Sequence, residues 1–167
     1  RLTWGAQAEV FRKIPGLENA TFARYGSIHR NTYVLAPELL DPTLAVRTHP
    51  NLWIAGQLSG VEGYLESTAA GLAAAQAVDQ TLRTGRAHPW PRETMLGSLL
   101  HYLAEADPRH FSPINAMLGL LPPLPEGLVD IKAAKRSGGT RAVKQARGEA
   151  YRTRALQALE RHLESLL

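Results

Sequence analysis

Apolar residues recur at helical spacing in four stretches of this 167-residue chain. The spacing predicts helices at about residues 3–14, 63–83, 92–106 and 140–166. Pro15 and Gly16 are expected to end the first helix, and Gly85 is the expected C-terminal cap of the second. The last helix carries a leucine stripe that is expected to form its buried face: Leu156, Leu159, Leu163 and Leu166.

Short apolar or alternating stretches predict strands between the first two helices, at residues 21–25, 31–35, 44–46 and 52–55. The last of these is the most apolar and is expected to be the best-buried strand. It continues through a glycine-rich turn into an alanine-rich helix. This order predicts an α/β fold for residues 1–86 and a mainly helical region for residues 87–167. The stiff stretch from His88 to Pro91 marks the boundary.

Two irregular stretches interrupt the second region. Residues 107–127 are rich in proline and glycine but also carry many apolar side chains, so they are expected to pack onto the body of the protein. The stretch Ser137-Gly138-Gly139 is expected to be a flexible joint at the start of the last helix.

The glycine-rich turn is the strongest candidate for a functional site. Gly56, Gly60 and Gly63 bring bare backbone to the start of a helix, where unpaired N–H groups suit an oxygen-rich, electron-rich ligand. Gln57 is placed to hydrogen-bond a hydroxyl group of that ligand. The alternative is an ordinary strand–turn–helix junction whose glycines serve geometry alone, since the dinucleotide pattern GxGxxG is absent.

A second candidate is the loop that contains His29, Arg30 and Asn31, between two predicted strands. The histidine offers a ring for stacking, the arginine a charge, and the asparagine a paired donor and acceptor. Taken alone, an exposed loop without a ligand is the favoured interpretation.

Charge is unevenly distributed along the chain. The net charge is +4, and the twelve basic and eight acidic residues after position 85 account for all of it. Between Ile131 and Arg154 eight basic residues face one acidic residue, Glu149. This run suits a polyanionic partner, although a solvated helix face is an equal alternative.

Several classes of site and location are disfavoured by the sequence. The chain has no cysteine, which excludes disulfides, thiolate metal sites and a cysteine nucleophile within it. Its histidines are too scattered for a metal site, so none is expected. No apolar run reaches the roughly 18 residues of a membrane span, and no signal peptide is visible, so we expect a cytoplasmic protein without membrane contact.

Longer stretches of the sequence resemble one family. The segment Gly56-Gln57-Leu58-Ser59-Gly60-Val61-Glu62-Gly63-Tyr64-Leu65-Glu66-Ser67 is similar to the final FAD-contacting segment of the folate-dependent tRNA (uracil-5-)-methyltransferases. Residues 14–20, 24–33 and 111–122 look like the same family. The resemblance implies a Rossmann-like FAD-binding domain and a flavoenzyme that methylates a T-loop uridine of tRNA with 5,10-methylenetetrahydrofolate.

The resemblance also implies roles for individual residues. The residues expected to bind FAD are Ala55, Gly56, Gln57, Gly60, Val61, Glu62, Gly63, Tyr64 and Ser67. The residues expected to contact the folate are His29, Arg30 and Asn31. The residues expected to bind tRNA are Lys132, Lys135, Arg136, Arg141, Lys144 and Arg147. NADH or NADPH is the implied reductant, with no site in these residues.

Two features of the family are missing from this sequence. Its first nucleotide-binding glycine motif and its catalytic cysteines do not occur here. We therefore expect this chain to be the C-terminal part of an enzyme and to be inactive by itself. The expected partner is the remaining N-terminal part of the same enzyme. One alternative is part of a protein related to glucose-inhibited division protein A, which modifies the tRNA wobble uridine. The other is a non-catalytic RNA-binding module.

Overall fold

The computed structural model describes residues 2–26 and 31–166, most of which are helical. Two compact units are present, residues 1–31 and 32–167, and each is described by itself. This division does not test the predicted boundary near residue 86, which stays a prediction. Within the described residues, no helix is both long enough and apolar enough to span a membrane.

The first unit is organised by one buried glutamine. Helix α1 runs from Trp4 to Phe11, and its Thr3 cap accepts a hydrogen bond from the Ala6 N–H. Gln7 donates to the Gly26 carbonyl oxygen at 2.9 Å and accepts from the Gly26 N–H at 2.8 Å. Residues 21–25, which precede Gly26, form no strand, so the strand predicted there is wrong.

The second unit contains five further helices and strands of note, in chain order: α2 (Ala36–Leu39), β1 (Ala45–Val46), β2 (His49–Trp53), α3 (Tyr64–Thr84) and α4 (Met95–Glu105). The long helix α5 (Ile131–Glu164) follows. Short 3-10 turns lie at Gly56–Ser59, Pro108–His110 and Leu118–Leu120. The core is formed by small and aliphatic side chains of α2, α3, α4 and the β1 region, together with Val61.

The β structure is smaller than the sequence predicts. Strands β1 and β2 form an antiparallel pair, and β2 is largely exposed, so the expectation of a buried strand at residues 52–55 is wrong. Residues 31–35 also form no strand, although the Val34 N–H donates to the Leu58 carbonyl oxygen at 2.9 Å. Residues 49–52 are exposed, whereas Trp53, Ile54 and Ala55 are partly buried against the core.

Helices α3 and α4 confirm the helical predictions. The buried face of α3 consists of alanines, which let the helix lie close to its neighbours, and Gly85 ends it with φ of 82°. Helix α4 begins after Thr94, whose hydroxyl accepts from the Gly97 N–H at 2.9 Å. Leu99, Leu100 and Leu103 anchor α4 in the core.

Helix α5 is held to the second unit at its C-terminal half. Arg154 donates to the carbonyl oxygens of Pro122 and Pro123 at 2.6 and 2.8 Å. Further along the helix, the buried ring of His162 lies 5.2 Å from the ring of Trp90. The prediction that the leucine stripe forms the buried face of the last helix is wrong. Leu156 and Leu163 are about half exposed, while Ala158 and His162 are buried.

The buried His162 should make stability depend on pH. Burial lowers its pKa from the ordinary value of 6.5, and the charge of His88 lowers the pKa further. Its Nε2 atom has no partner among the described residues. Below about pH 6.5 the unfolded chain therefore takes up the proton more readily, and the free energy of unfolding should fall as the pH falls. Urea unfolding at a series of pH values measures this.

His162→Phe should flatten that decline, because phenylalanine keeps the ring packed against Trp90 but does not titrate. The matched control is His49→Phe at an exposed position, which should leave the decline unchanged. An equal decline in wild type and His162→Phe would contradict the assignment.

Candidate functional site

The glycine-rich turn connects β2 to the start of α3. Gly56, Gly60 and Gly63 have φ values of 66°, 94° and 98°, a left-handed region that other residues rarely adopt. Gly63 is the N-cap residue of α3. These backbone angles therefore favour glycine at all three positions.

Hydrogen bonds within the turn hold its shape. The buried Ser59 hydroxyl donates to the Gly56 carbonyl oxygen at 2.7 Å. The Gly60 N–H donates to the Gln57 carbonyl oxygen at 3.0 Å, and the Val61 N–H donates to the Gly56 carbonyl oxygen at 3.3 Å. These donors are consequently occupied within the protein and are not available to a ligand.

A second segment, residues 111–115, lies alongside the turn. The Ile114 N–H donates to the Gly60 carbonyl oxygen at 3.1 Å, and the Glu62 N–H donates to the Ile114 carbonyl oxygen at 3.0 Å. Together these bonds form a parallel bridge between Val61 and Ile114. Sequence reasoning predicted a packed irregular segment here but missed this partnership with the turn.

Phe111 fills the space that the absent side chain of Gly60 leaves. A Cβ atom at Gly60 would lie 2.7 Å from the Phe111 Cζ atom. The Phe111 ring also stacks on Tyr102, with centroids 5.9 Å apart. Gly60 therefore faces the protein interior, and its lack of a side chain serves packing.

The start of α3 presents free hydrogen-bond donors. Gly63 provides no side-chain cap. Within residues 2–26 and 31–166, the N–H groups of Tyr64, Leu65 and Glu66 have no hydrogen-bond partner. A Cβ atom at Gly63 would collide with the Glu66 carboxylate and lie 2.9 Å from the Asn115 amide nitrogen. The missing side chain at Gly63 therefore makes room for the Glu66 carboxylate, which lies at this helix end beside the free N–H groups. Those N–H groups suit a ligand that brings hydrogen-bond acceptors, such as carbonyl oxygens.

The predicted cofactor residues divide into two groups. Val61 is in the core and Gly60 is buried against Phe111. Three more are partly buried: Ala55, Gly56 and Ser67. The other group is exposed to solvent and consists of Gln57, Glu62, Gly63 and Tyr64.

The predicted folate residues are only partly described. His29 and Arg30 lie outside the described residues, and Asn31 is half-buried at the end of the first unit. Their role stays a prediction.

The predicted RNA-binding residues are exposed on α5. In the part of the chain that the structure describes, six of them make neither an ion pair nor a side-chain hydrogen bond: Lys132, Lys135, Arg136, Arg141, Lys144 and Arg147. The two other basic residues of the run have intrachain partners, since Arg152 pairs with Glu149 and Arg154 binds the two prolines. The run therefore offers six uncompensated cations, interrupted at Gly138 and Gly139, where the backbone is not helical.

A groove of about 460 Å³ that the sequence did not predict lies along α4. Arg92 pairs with Glu105 and holds the pKa of that carboxyl below its ordinary value. Both ring nitrogens of His101 have partners, Glu105 and the Trp90 carbonyl oxygen. Because these polar groups bind one another, we interpret them as a hydrogen-bond network that serves the structure rather than a ligand.

The sequence is similar to known proteins over most of its length. The sequence profile of the family described as glucose inhibited division protein A matches residues 1–85, and the chain belongs to that family. Curated relatives carry the name methylenetetrahydrofolate–tRNA-(uracil-5-)-methyltransferase TrmFO. The relative from Exiguobacterium sp. is 44% identical over 96% of this chain, and the relative from Symbiobacterium thermophilum is 51% identical over 85%.

The chain spans about a third of the length of these relatives, 34% of the Exiguobacterium protein and 32% of the Symbiobacterium protein. A third relative, from Syntrophus aciditrophicus, is 45% identical over 96% of this chain and 33% of its own length.

Replacement of Gly60 by alanine should destabilise the second unit. The left-handed φ strains any other residue, and the added methyl group collides with Phe111, so we expect a loss of about 2–4 kcal/mol in the free energy of unfolding. Chemical denaturation measures this. Adding Phe111→Leu should restore part of the loss, because it removes the collision but not the strain.

Gly71→Ala provides the matched control for that experiment. Gly71 is an exposed residue of α3 with nothing within 4 Å of its Cβ position, so alanine should stabilise by up to about 1 kcal/mol. Equal effects at the two glycines would contradict the packing argument.

Proposed function

We propose that this chain is part of a flavoenzyme that methylates C5 of a T-loop uridine in tRNA, with 5,10-methylenetetrahydrofolate as the carbon source. The activity after which the relatives are named, at 44% and 51% identity to this chain, carries this proposal. They favour it over modification of the wobble uridine. The six uncompensated cations of α5 support an RNA partner. A cytoplasmic location belongs to the same proposal, because tRNA is the substrate.

The donor set at the start of α3 fits FAD. Three free N–H groups and the end of a 21-residue helix suit flavin carbonyl or phosphate oxygens. In this proposal, the backbone N–H groups of Tyr64, Leu65 and Glu66 bind the cofactor, and exposed Gln57 binds through its amide. Bound FAD supplies electrons for the reduction of the transferred carbon. The protein orients the cofactor and excludes water.

The finer fold assignment is part of the same proposal. Residues 1–86 contribute the closing segment and helix of a Rossmann-like FAD-binding domain, and residues 87–167 form a helical appendage. Exposed apolar residues support the presence of further chain against α3: Tyr64 is 98% exposed, Leu65 79%, Leu72 66% and Leu82 82%. We propose that the remaining part of the enzyme covers this face. The catalytic residues and the site for NADH or NADPH belong to that part.

His29, Arg30 and Asn31 are proposed to contact the folate, on the basis of the sequence resemblance. His29→Ala in the complete enzyme should raise the KM for the folate while flavin stays bound. Steady-state kinetics at varied folate, beside the visible spectrum of the variant, measures both. An unchanged KM and rate would remove His29 from the site.

The flavin assignment predicts a coloured protein. The complete enzyme, purified without added cofactor, should show a flavin absorption spectrum. Gly63→Val should lose most of that absorption, because a branched side chain at φ of 98° would strain the backbone and displace the Glu66 carboxylate at the start of α3. The control is Gly71→Val in open space on the same helix, which should retain the flavin. A colourless wild type that stays colourless after addition of FAD would favour the non-catalytic RNA-binding alternative.

The RNA assignment predicts a change in salt dependence. Joint replacement of Arg141, Lys144 and Arg147 by glutamine should reduce the steepness of log affinity against log salt by about 2–3. The reason is that RNA binding releases fewer counterions when three phosphate contacts are lost. Filter binding of a tRNA transcript at several salt concentrations measures the slope.

Exposed cations outside α5 provide the charge-matched control for the RNA experiment. These are Arg83, Arg86 and Arg109. Their joint replacement by glutamine should leave the salt slope close to that of wild type. If both triple variants lowered it equally, the effect would reflect net charge rather than a binding surface on α5.

A further inference from the structure

Gly148 is a glycine for which the described residues show no structural reason. It lies in the helical part of α5, where only Gly138 and Gly139 have non-helical backbone angles. Gly148 is exposed, and no neighbouring atom among the described residues lies within 4 Å of its Cβ position. Glycine weakens an exposed helix relative to alanine. A glycine in such a place indicates that something outside these residues approaches the backbone closely.

Three cations surround Gly148 on one side of the helix. Successive residues of an α-helix are rotated by about 100°, so Arg141 lies about 20° from Gly148 around the axis. Lys144 and Arg152, four residues before and four residues after Gly148, each lie about 40° away. All three cationic residues are exposed. Together with Gly148 they form a basic surface with bare backbone at its centre, called the Gly148 face below.

The ion pair of Arg152 does not remove this residue from the Gly148 face. Arg152 donates to the Glu149 carboxylate at 3.0 Å, but the two side chains are 69% and 62% exposed. Ion pairs this exposed contribute little, because water screens both charges. A phosphate group of a polyanion can therefore replace Glu149 as the partner of Arg152. The residues that the sequence predicts to bind tRNA do not include Arg152.

The charge of the Gly148 face favours a polyanion as its partner. Glu149 is the one acidic residue between Ile131 and Arg154. A phosphate backbone can contact several neighbouring cations at once, and the missing side chain at Gly148 lets it lie against the helix itself. RNA is the polyanion that the proposed function supplies.

We propose that the RNA backbone lies directly against α5 at Gly148, with its phosphates bound by Arg141, Lys144 and Arg152. This inference rests on the proposed RNA-binding function and adds two residues to it. Gly148 sets the distance of approach because it has no side chain. Arg152 exchanges the Glu149 carboxylate for a phosphate when RNA binds.

Variants of Gly148 in the complete protein test the close approach, with a tRNA transcript as the probe. Gly148→Leu places a bulky side chain between the cations and the RNA, so log affinity against log salt should become less steep by about 2. Gly148→Ala should change it less, in the same direction. Both substitutions favour the helix, so the melting temperature should stay at the wild-type value or rise. A purely structural role of Gly148 would not weaken RNA binding in a protein that is equally stable.

Gln157→Leu is the matched control for an exposed leucine on the same helix. Gln157 is exposed and lies nine residues after Gly148, which places it about 180° away around the axis. This variant should keep the wild-type salt slope. Equal losses in Gly148→Leu and Gln157→Leu would overturn the close approach, because the position of the leucine would then not matter.

The exchange of partners at Arg152 is tested by charge variants. Arg152→Gln should make the salt dependence less steep by about 1, the effect of one lost phosphate contact. Glu149→Gln should strengthen tRNA binding more than Glu160→Gln, because only the first change frees Arg152. Glu160 is an exposed residue further along α5, and its replacement removes the same charge. An unchanged slope for Arg152→Gln, or equal effects of the two glutamate variants, would overturn the exchange.

The outcomes separate this inference from the proposed function. A wild-type slope for Gly148→Leu, beside a reduced slope for the joint variant of Arg141, Lys144 and Arg147, would overturn the close approach and leave RNA binding intact. Wild-type slopes for both variants would overturn RNA binding by α5 as well. A wild-type slope with a lower melting temperature for Gly148→Leu would show that the Gly148 face packs against protein, and the inference would be wrong.

Discussion

The parallel bridge between Val61 and Ile114 is the interaction on which the candidate site depends. Its two hydrogen bonds join the glycine-rich turn to residues 111–115, which follow α4 in the chain. The bridge forms because Gly60 lacks a side chain, which lets the Phe111 ring approach the backbone. With Gly60 and Glu62 engaged in this way, the start of α3 is held in place, and its free N–H groups face outward. Packing thus prepares the surface that we assign to the cofactor.

Much of the helical structure could be predicted because its signals are local. Alanines on one face and Gly85 after the last turn define α3, and Thr94 precedes α4. Strands were predicted poorly, since a strand needs a partner that the local sequence does not specify. In α5 the leucine spacing was misleading, because the helix is held by polar and aromatic contacts of Arg154 and His162.

In the candidate site, too, the local features could be predicted from the sequence and the long-range pairing could not. The three glycines and the helix start were recognisable from residues 56–67 alone, and the structure gives each glycine a left-handed backbone. The partner segment at residues 111–115 was not, because about fifty residues separate Ile114 from Val61 and no local pattern encodes that pairing. The basic run of α5 was visible as composition, and the sequence also predicted the joint at residues 137–139, where the backbone of Gly138 and Gly139 is not helical. The helical segment that begins at Ile131, before this joint, was not predicted.

The hold of Arg154 on two proline carbonyl oxygens has a consequence for local stability. The two hydrogen bonds join Arg154 to prolines that lie 31 and 32 positions earlier in the chain. Apart from this contact, α5 contributes few buried side chains, chiefly Ala158 and His162. Trp90 packs on the core of α2, α3 and α4 and also lies against the His162 ring of α5. Because so few contacts hold α5, we expect its amide protons to exchange through a partial opening that leaves the glycine turn intact. Such an opening would release the basic helix while the glycine turn stays folded.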